Sequence, residues 1–133
     1  MKKVSIFIAL ALMILILACN KEEPVKPSAD FTTNLDGNTA IRGRTFTVYL
    51  DNVQGEFLVY FRGHNEQSTY DSSNPRRAGT NISRDADSVV VAGYPAAGEY
   101  VFTLVASSSG NWAQDYVQDV KSINVSVVEP TGK

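Results

Sequence analysis

A general base working near neutral pH is most often a histidine, and this chain has one, His64. A nucleophilic relay needs a hydroxyl or thiol within hydrogen-bond reach of that base and a third group to orient it. His64 with a nearby serine and Asp71 is the set on offer, and an ordinary solvated loop histidine fits the same polar surroundings. Glu66, Asp71, Asp85 and Asp87 supply carboxylates for a glycosidase-like pair, but a domain this small has little room for a substrate cleft around them. Asp85-Ala86-Asp87 and Asp115 with Asp119 are oxygen ligands of the kind calcium takes, without the spacing of a calcium loop. Zinc lacks its ligands. The expectation is a protein with no catalytic activity, no metal and no cofactor.

Binding chemistry is better represented. Tyr70, Trp112 and Tyr116 fall in or beside polar segments where no core periodicity requires an aromatic ring. Aromatic faces with Asn and Asp nearby suit sugar rings, and the same side chains serve as anchors for protein partners. Arg76-Arg77 adds a basic loop tip able to grip carboxylates in bidentate fashion. A second reading of Trp112 is a cap on the end of the fold.

These residues must be carried by a frame that begins after residue 18. Met1-Lys2-Lys3 is basic, and Val4 to Ala18 is an apolar run interrupted only by Ser5. Fifteen residues make a helix of roughly 22 Å, short of a ~30 Å hydrocarbon core. Basic start, apolar middle and small Ala18 fit a cleaved secretory signal over residues 1–18. The lone Cys19 follows directly and excludes an internal disulfide. Ile16-Leu17-Ala18-Cys19 resembles the lipobox of bacterial lipoproteins, with Leu17 where that family has a smaller residue. The resemblance implies cleavage before Cys19 and acylation of its thiol and new amino terminus, palmitate being a typical chain. More than one acyl chain gives stable anchoring, at about 0.8 kcal/mol per buried CH₂. Lys21-Glu22-Glu23 resembles the surface-export signal of Bacteroidota-type lipoproteins, which implies the outer membrane and a domain facing the exterior.

Removing residues 1–18 takes two lysines with it and moves the net charge from −2 to −4. That acidity argues against nucleic acid as a partner and leaves the acyl chains as the link to the membrane. Residues 19–28 hold Pro24 and Pro27 among charges and read as a linker.

One all-β domain is expected over residues 29–128, followed by a polar tail at 129–133. Ala29 to Thr32 reads as a first strand and Asp36-Gly37-Asn38 as a turn. Phe46, Val48 and Leu50 alternate with Thr45, Thr47 and Tyr49, the period of a half-buried strand. Asp51 to Gly55 reads as a turn before a strand over Glu56 to Phe61. The polar stretch from Arg62 to Asp87 reads as loops with a short edge strand around Ser68 to Tyr70. Strands follow at Asp87 to Ala92, Glu99 to Ala106 and Val117 to Val128. Turns at this spacing predict an antiparallel two-sheet sandwich of about seven strands.

Tyr94 to Ala106, a Tyr-Pro followed by Gly-x-Tyr and alternating Val and Leu, resembles the closing signature of PKD-type domains, which are immunoglobulin-like sandwiches. The resemblance implies that Gly98 turns a corner and that Tyr100 returns its hydroxyl to nearby backbone. It also implies that Ala29-Asp30-Phe31 opens the domain and Ile123 to Val128 closes it. The family's middle acidic motif is replaced by Val59-Tyr60-Phe61-Arg62-Gly63-His64, so no acidic role carries over. That stretch is similar to divergent PKD-like domains of Bacteroidota surface lipoproteins. Asp87-Ser88-Val89 resembles the O-glycosylation triplet of such exported proteins, and it is equally an ordinary strand start. The function these features predict is a lipid-anchored binding or adhesion module for a protein or glycan. The alternatives are a glycan-binding accessory of a starch-utilisation-type uptake system and a structural envelope protein without a ligand.

Overall fold

The computed structural model describes residues 25–74, 79–109 and 116–132. Every regular element among them is a strand. In chain order these are β1 (Ser28–Thr33), β2 (Thr39–Ile41), β3 (Phe46–Gln54), β4 (Phe57–Phe61), β5 (Thr80–Ile82), β6 (Ser88–Val91), β7 (Gly98–Ser108) and β8 (Val117–Val128). Three strands form one sheet in the order β1-β3-β6, and five form the other in the order β2-β8-β7-β4-β5. No helix among the described residues is long and apolar enough to cross a membrane.

The sheets pack face to face because each sends its alternate residues inward. Phe46, Val48 and Leu50 of β3 meet Phe102, Leu104 and Ala106 of β7, with Leu58 and Tyr60 of β4 and Val125 and Val127 of β8 completing the layer. Phe102 is the hub and is 0% exposed. Its ring lies 5.4 Å from Phe31, 5.7 Å from Phe46 and 5.5 Å from Tyr60, so it joins both sheets through aromatic contacts. One open side of the sandwich is closed by polar groups. Lys121 Nζ donates to Asp30 Oδ1 at 2.9 Å and to the Phe31 carbonyl at 2.7 Å, while Ala29 N–H donates to Asp119 Oδ2 at 2.7 Å.

The fold corrects the sequence reading in four places. The sandwich is not wholly antiparallel: β2 runs parallel to β8, pairing Thr39 with Ser126 and Ile41 with Val128. This short strand was missed because three residues carry no readable alternation. β3 continues through Asp51 to Gln54 where a turn was expected. The β1–β3 register shifts between Asp30 and Thr32, a bulge that resets the alternation, so Leu50 points inward and Val53 again packs on the core. The edge strand expected at Ser68 to Tyr70 is a turn. Its Asn65 side chain accepts from Ser68 N–H at 2.8 Å and its carbonyl accepts from the Thr69 hydroxyl at 2.7 Å, local bonds that displace a ladder. The edge is β5 instead, paired to β4 through Leu58 and Ile82.

Candidate functional site

Outward-facing residues of the five-stranded sheet would ordinarily be polar, yet Val59, Phe61 and Val105 line up there and Thr103, Val105 and Ser107 are buried. Their cover is the connection from β4 to β5. It leaves β4 through Gly63, whose backbone is left-handed at φ +73° and whose N–H donates to the Ser68 carbonyl at 2.8 Å. It then lays the Tyr70 ring edge-on against Phe61 at 5.6 Å. It returns through Gly79, where a Cβ would strike Val59 and lie 2.8 Å from the Tyr60 carbonyl oxygen.

A clip fixes the start of this connection. Arg62 Nη2 donates to the Gly93 carbonyl at 2.6 Å, and the Tyr94 hydroxyl donates to the Arg62 carbonyl at 2.9 Å. The guanidinium sits 5.3 Å from the Tyr94 ring centroid. Burial pushes the Tyr94 hydroxyl up to about 12, with Arg62 opposing and Tyr100 adding to the rise. Tyr100 stacks on Tyr94 at 4.5 Å and donates its own hydroxyl to the Ala96 carbonyl at 2.8 Å. Gly98 opens β7 at φ +150°, a conformation side-chain-bearing residues rarely adopt.

Between the connection and the sheet lies a cavity of about 90 Å³. Val59, Phe61 and Val105 make its apolar floor, and Tyr70, Tyr116, Gln118, Asn74, Ser72 and Ser107 its sides. The Tyr70 hydroxyl donates to Gln118 Oε1 at 3.5 Å, and Gln118 Nε2 donates to the Tyr116 hydroxyl at 3.3 Å. Tyr70 has its proton engaged and keeps lone pairs to accept with, whereas Tyr116 accepts from Gln118 and keeps its proton to donate. Both tyrosines line the cavity, so one hydroxyl with acceptor capacity and one with donor capacity border the same small space over an apolar floor.

Two of the aromatic residues singled out from the sequence, Tyr70 and Tyr116, thus come together across 46 positions of chain. Trp112, Arg76 and Arg77 lie outside the described residues, as do Cys19, Lys21, Glu22 and Glu23. Gln118 and Ser107 carried no sequence signal beyond outward alternation on β8 and β7, where they pair directly.

The histidine is built into a turn. His64 Nδ1 lies 2.8 Å from Ser68 Oγ and Nε2 lies 3.2 Å from Asn65 Nδ2. An amide donor facing Nε2 makes that atom the acceptor and places the proton on Nδ1, so the imidazole donates to Ser68 instead of taking its proton. The Ser68 hydroxyl in turn donates to the Asn65 carbonyl at 3.2 Å. Desolvation and then the Arg62 charge lower the His64 pKa below 6.5, holding the neutral ring. Asp71 Oδ1 accepts from the Ser73 N–H at 2.9 Å and from its hydroxyl at 2.6 Å, closing a neighbouring turn. Among the described residues no three His, Cys, Asp or Glu side chains gather as a metal site.

No protein-family model, curated protein or solved structure matches the chain.

Proposed function

We propose that this protein is a non-enzymatic binding module, anchored to the outer membrane through acyl chains on Cys19 and facing the cell exterior, whose cleft holds a sugar ring of a glycan. The observation that carries the proposal is the pair of tyrosine hydroxyls set by Gln118 as one acceptor and one donor above an apolar floor. A pyranose offers the complement, hydroxyls that donate and accept together with a C–H face. At about 90 Å³ the cavity is smaller than the ~150 Å³ that encloses a benzene ring, so it takes the edge of one sugar ring and leaves the rest of the ligand outside.

The immunoglobulin-like, PKD-like reading of the sandwich belongs to the same proposal. It is supported by the crossing of the chain from β1 in one sheet to β2 beside β8 in the other, and by the Tyr100 hydroxyl returning to Ala96 at the entry to β7. A protein partner is the second reading, favoured by Phe57, 57% exposed, and Val101, 46% exposed, on the strands that carry the cleft.

Location and ligand are tested separately. Radiolabelled palmitate should enter the full-length chain and fail to enter Cys19→Ala, which should also leave the membrane fraction. Protease added to intact cells should cut the domain; protection until lysis would move it to the periplasm. Saturable binding to polysaccharide that disappears in Trp112→Ala would extend the binding surface to that residue and favour the uptake-accessory role.

A further inference from the structure

The turn that starts the β4–β5 connection has its hydrogen-bond directions fixed all the way round. Asn65 Oδ1 accepts from the Ser68 N–H at 2.8 Å, so the same amide offers His64 Nε2 its Nδ2 donor, at 3.2 Å. On the other side of the imidazole Nδ1 meets Ser68 Oγ at 2.8 Å, and Oγ also accepts from the Asn65 N–H at 3.1 Å. The turn closes where the Gly63 N–H donates to the Ser68 carbonyl at 2.8 Å. Two residues further on, Tyr70 forms a wall of the cleft. Its contacts with the sheet are few, an edge contact with Phe61 and a 3.5 Å bond to Gln118.

A proton added to Nε2 does not fit this set of bonds. It sets one N–H against another at 3.2 Å. Turning the Asn65 amide over offers Oδ1 to the imidazolium but brings Nδ2 against the Ser68 N–H, so the 2.8 Å bond is lost instead. Swinging the imidazole into solvent gives up both of its partners. Every arrangement leaves the turn short of at least one bond. The neighbouring charges do not repair the loss. The Arg62 guanidinium opposes a second positive charge beside it. Glu66 is exposed in the same turn, and Asp71 is engaged by the Ser73 N–H and hydroxyl. Gly79 and Thr80, where the chain enters β5, bring no ionisable group. From β7 it is the Val101 backbone that lies against Gly63, and Glu99 accepts from the Ser126 hydroxyl.

We infer that His64, Asn65 and Ser68 form an acid-sensitive latch: a proton taken up on Nε2 opens the turn and frees Tyr70 from the wall of the cleft. As a control on ligand release the latch rests on the reading of the cleft as a glycan site, whereas the opening itself needs no ligand.

The test uses the ¹⁵N-labelled full-length chain in detergent micelles, without ligand. Amide protection factors at Gly63 and Ser68, corrected for intrinsic exchange, are compared at pH 7.5 and pH 5, together with the nuclear Overhauser contact between the Tyr70 and Phe61 rings. A proton bound more tightly by the open turn than by the closed one should lower protection about threefold or more over this interval and weaken the Tyr70–Phe61 contact, while β7 amides stay constant. Asn65→Asp supplies the reversed case. Its carboxylate accepts from the Ser68 N–H and from a protonated Nε2 at once, and it stays ionised at pH 5. Protection in that variant should rise on acidification by a similar factor, and the His64 midpoint should move above 6.5. A turn with only a structural role would show no such reversal. Protection independent of pH in the parent, or falling alike in the parent and in Asn65→Asp, would overturn the inference. Oligosaccharide titrated at the same two pH values separates the latch from the site. Weaker binding at pH 5 supports control of the cleft, and equal binding over an open turn would overturn it. A latch that opens where no glycan binds at either pH would sink the glycan reading alone.

Discussion

Replacing Tyr94 by Phe removes one hydroxyl from the clip that fixes the β4–β5 connection, and its effect can be worked out at two pH values. The ring is kept, along with its stacking on Tyr100 at 4.5 Å and the Arg62 guanidinium above it. What is lost is the 2.9 Å bond to the Arg62 carbonyl, a part-buried acceptor then left without that donor. Such an orphaned group costs roughly 1–3 kcal/mol, so Tyr94→Phe should unfold at lower urea and melt several degrees lower at pH 7. The alkaline arm has its own sign. The Tyr94 hydroxyl is raised from 10.0 to about 12, so the unfolded chain gives up this proton first. Its contribution is whole below pH 10 and drains away as the pH climbs toward 12. One pH unit above the unfolded value removes roughly 1.4 kcal/mol, and Phe has no such dependence. Urea titrations followed by circular dichroism at pH 7, 9, 10 and 11 should therefore show a gap between parent and variant that is constant to pH 9 and narrower by roughly 1.4 kcal/mol at pH 11. A gap unchanged at pH 11, or no gap at pH 7, would refute the reasoning.

Other perturbations address other parts of the structure. Phe102→Ala empties the hub shared by both sheets and should cost about 3–5 kcal/mol in denaturant, more than any other single truncation of the core. Gly79→Ala sets a Cβ against Val59, the Tyr60 carbonyl and Phe61, so it should lose roughly 1–3 kcal/mol and disturb the cleft floor, seen as shifted Val59 methyl resonances. The His64 ring should titrate below 6.5 by NMR, and Arg62→Gln should move its midpoint upward. Since the fold favours the neutral ring, that residue's contribution to stability is present above pH 6.5 and lost as the pH falls through the lowered value.

The long strands were legible because burial imposes period two on them. Phe46, Val48 and Leu50, then Phe102 and Leu104, then Val125 and Val127 all face the core as their alternation predicts. Past Leu50 the bulge opposite Phe31 shifts that period by one residue, so the end of β3 read as a turn. β2 and β5 are three residues each and owe their state to partners far along the chain, β8 and β4. At Ser68 the local bonds from Asn65 decide against a strand that composition alone favoured. For the cleft, aromatic rings in polar segments picked out Tyr70 and Tyr116. Gln118 was invisible, since a glutamine on the outward side of a strand is what any solvated sheet would carry. Only the β7–β8 register, which sets Gln118 against Ser107 beneath the returning connection, makes it the link between two tyrosines.

The cleft as a glycan site is the central claim, and one measurement meets it directly. Full-length chain in detergent micelles would be applied to a glycan array, and the best-bound oligosaccharide titrated against the parent, Tyr70→Ala and Tyr116→Ala. The account predicts saturable binding by the parent and at least about a tenfold weaker affinity in each variant, equivalent to roughly 1.4 kcal/mol, with unfolding transitions retained. Absence of any bound glycan, or affinity indifferent to both substitutions, would contradict it.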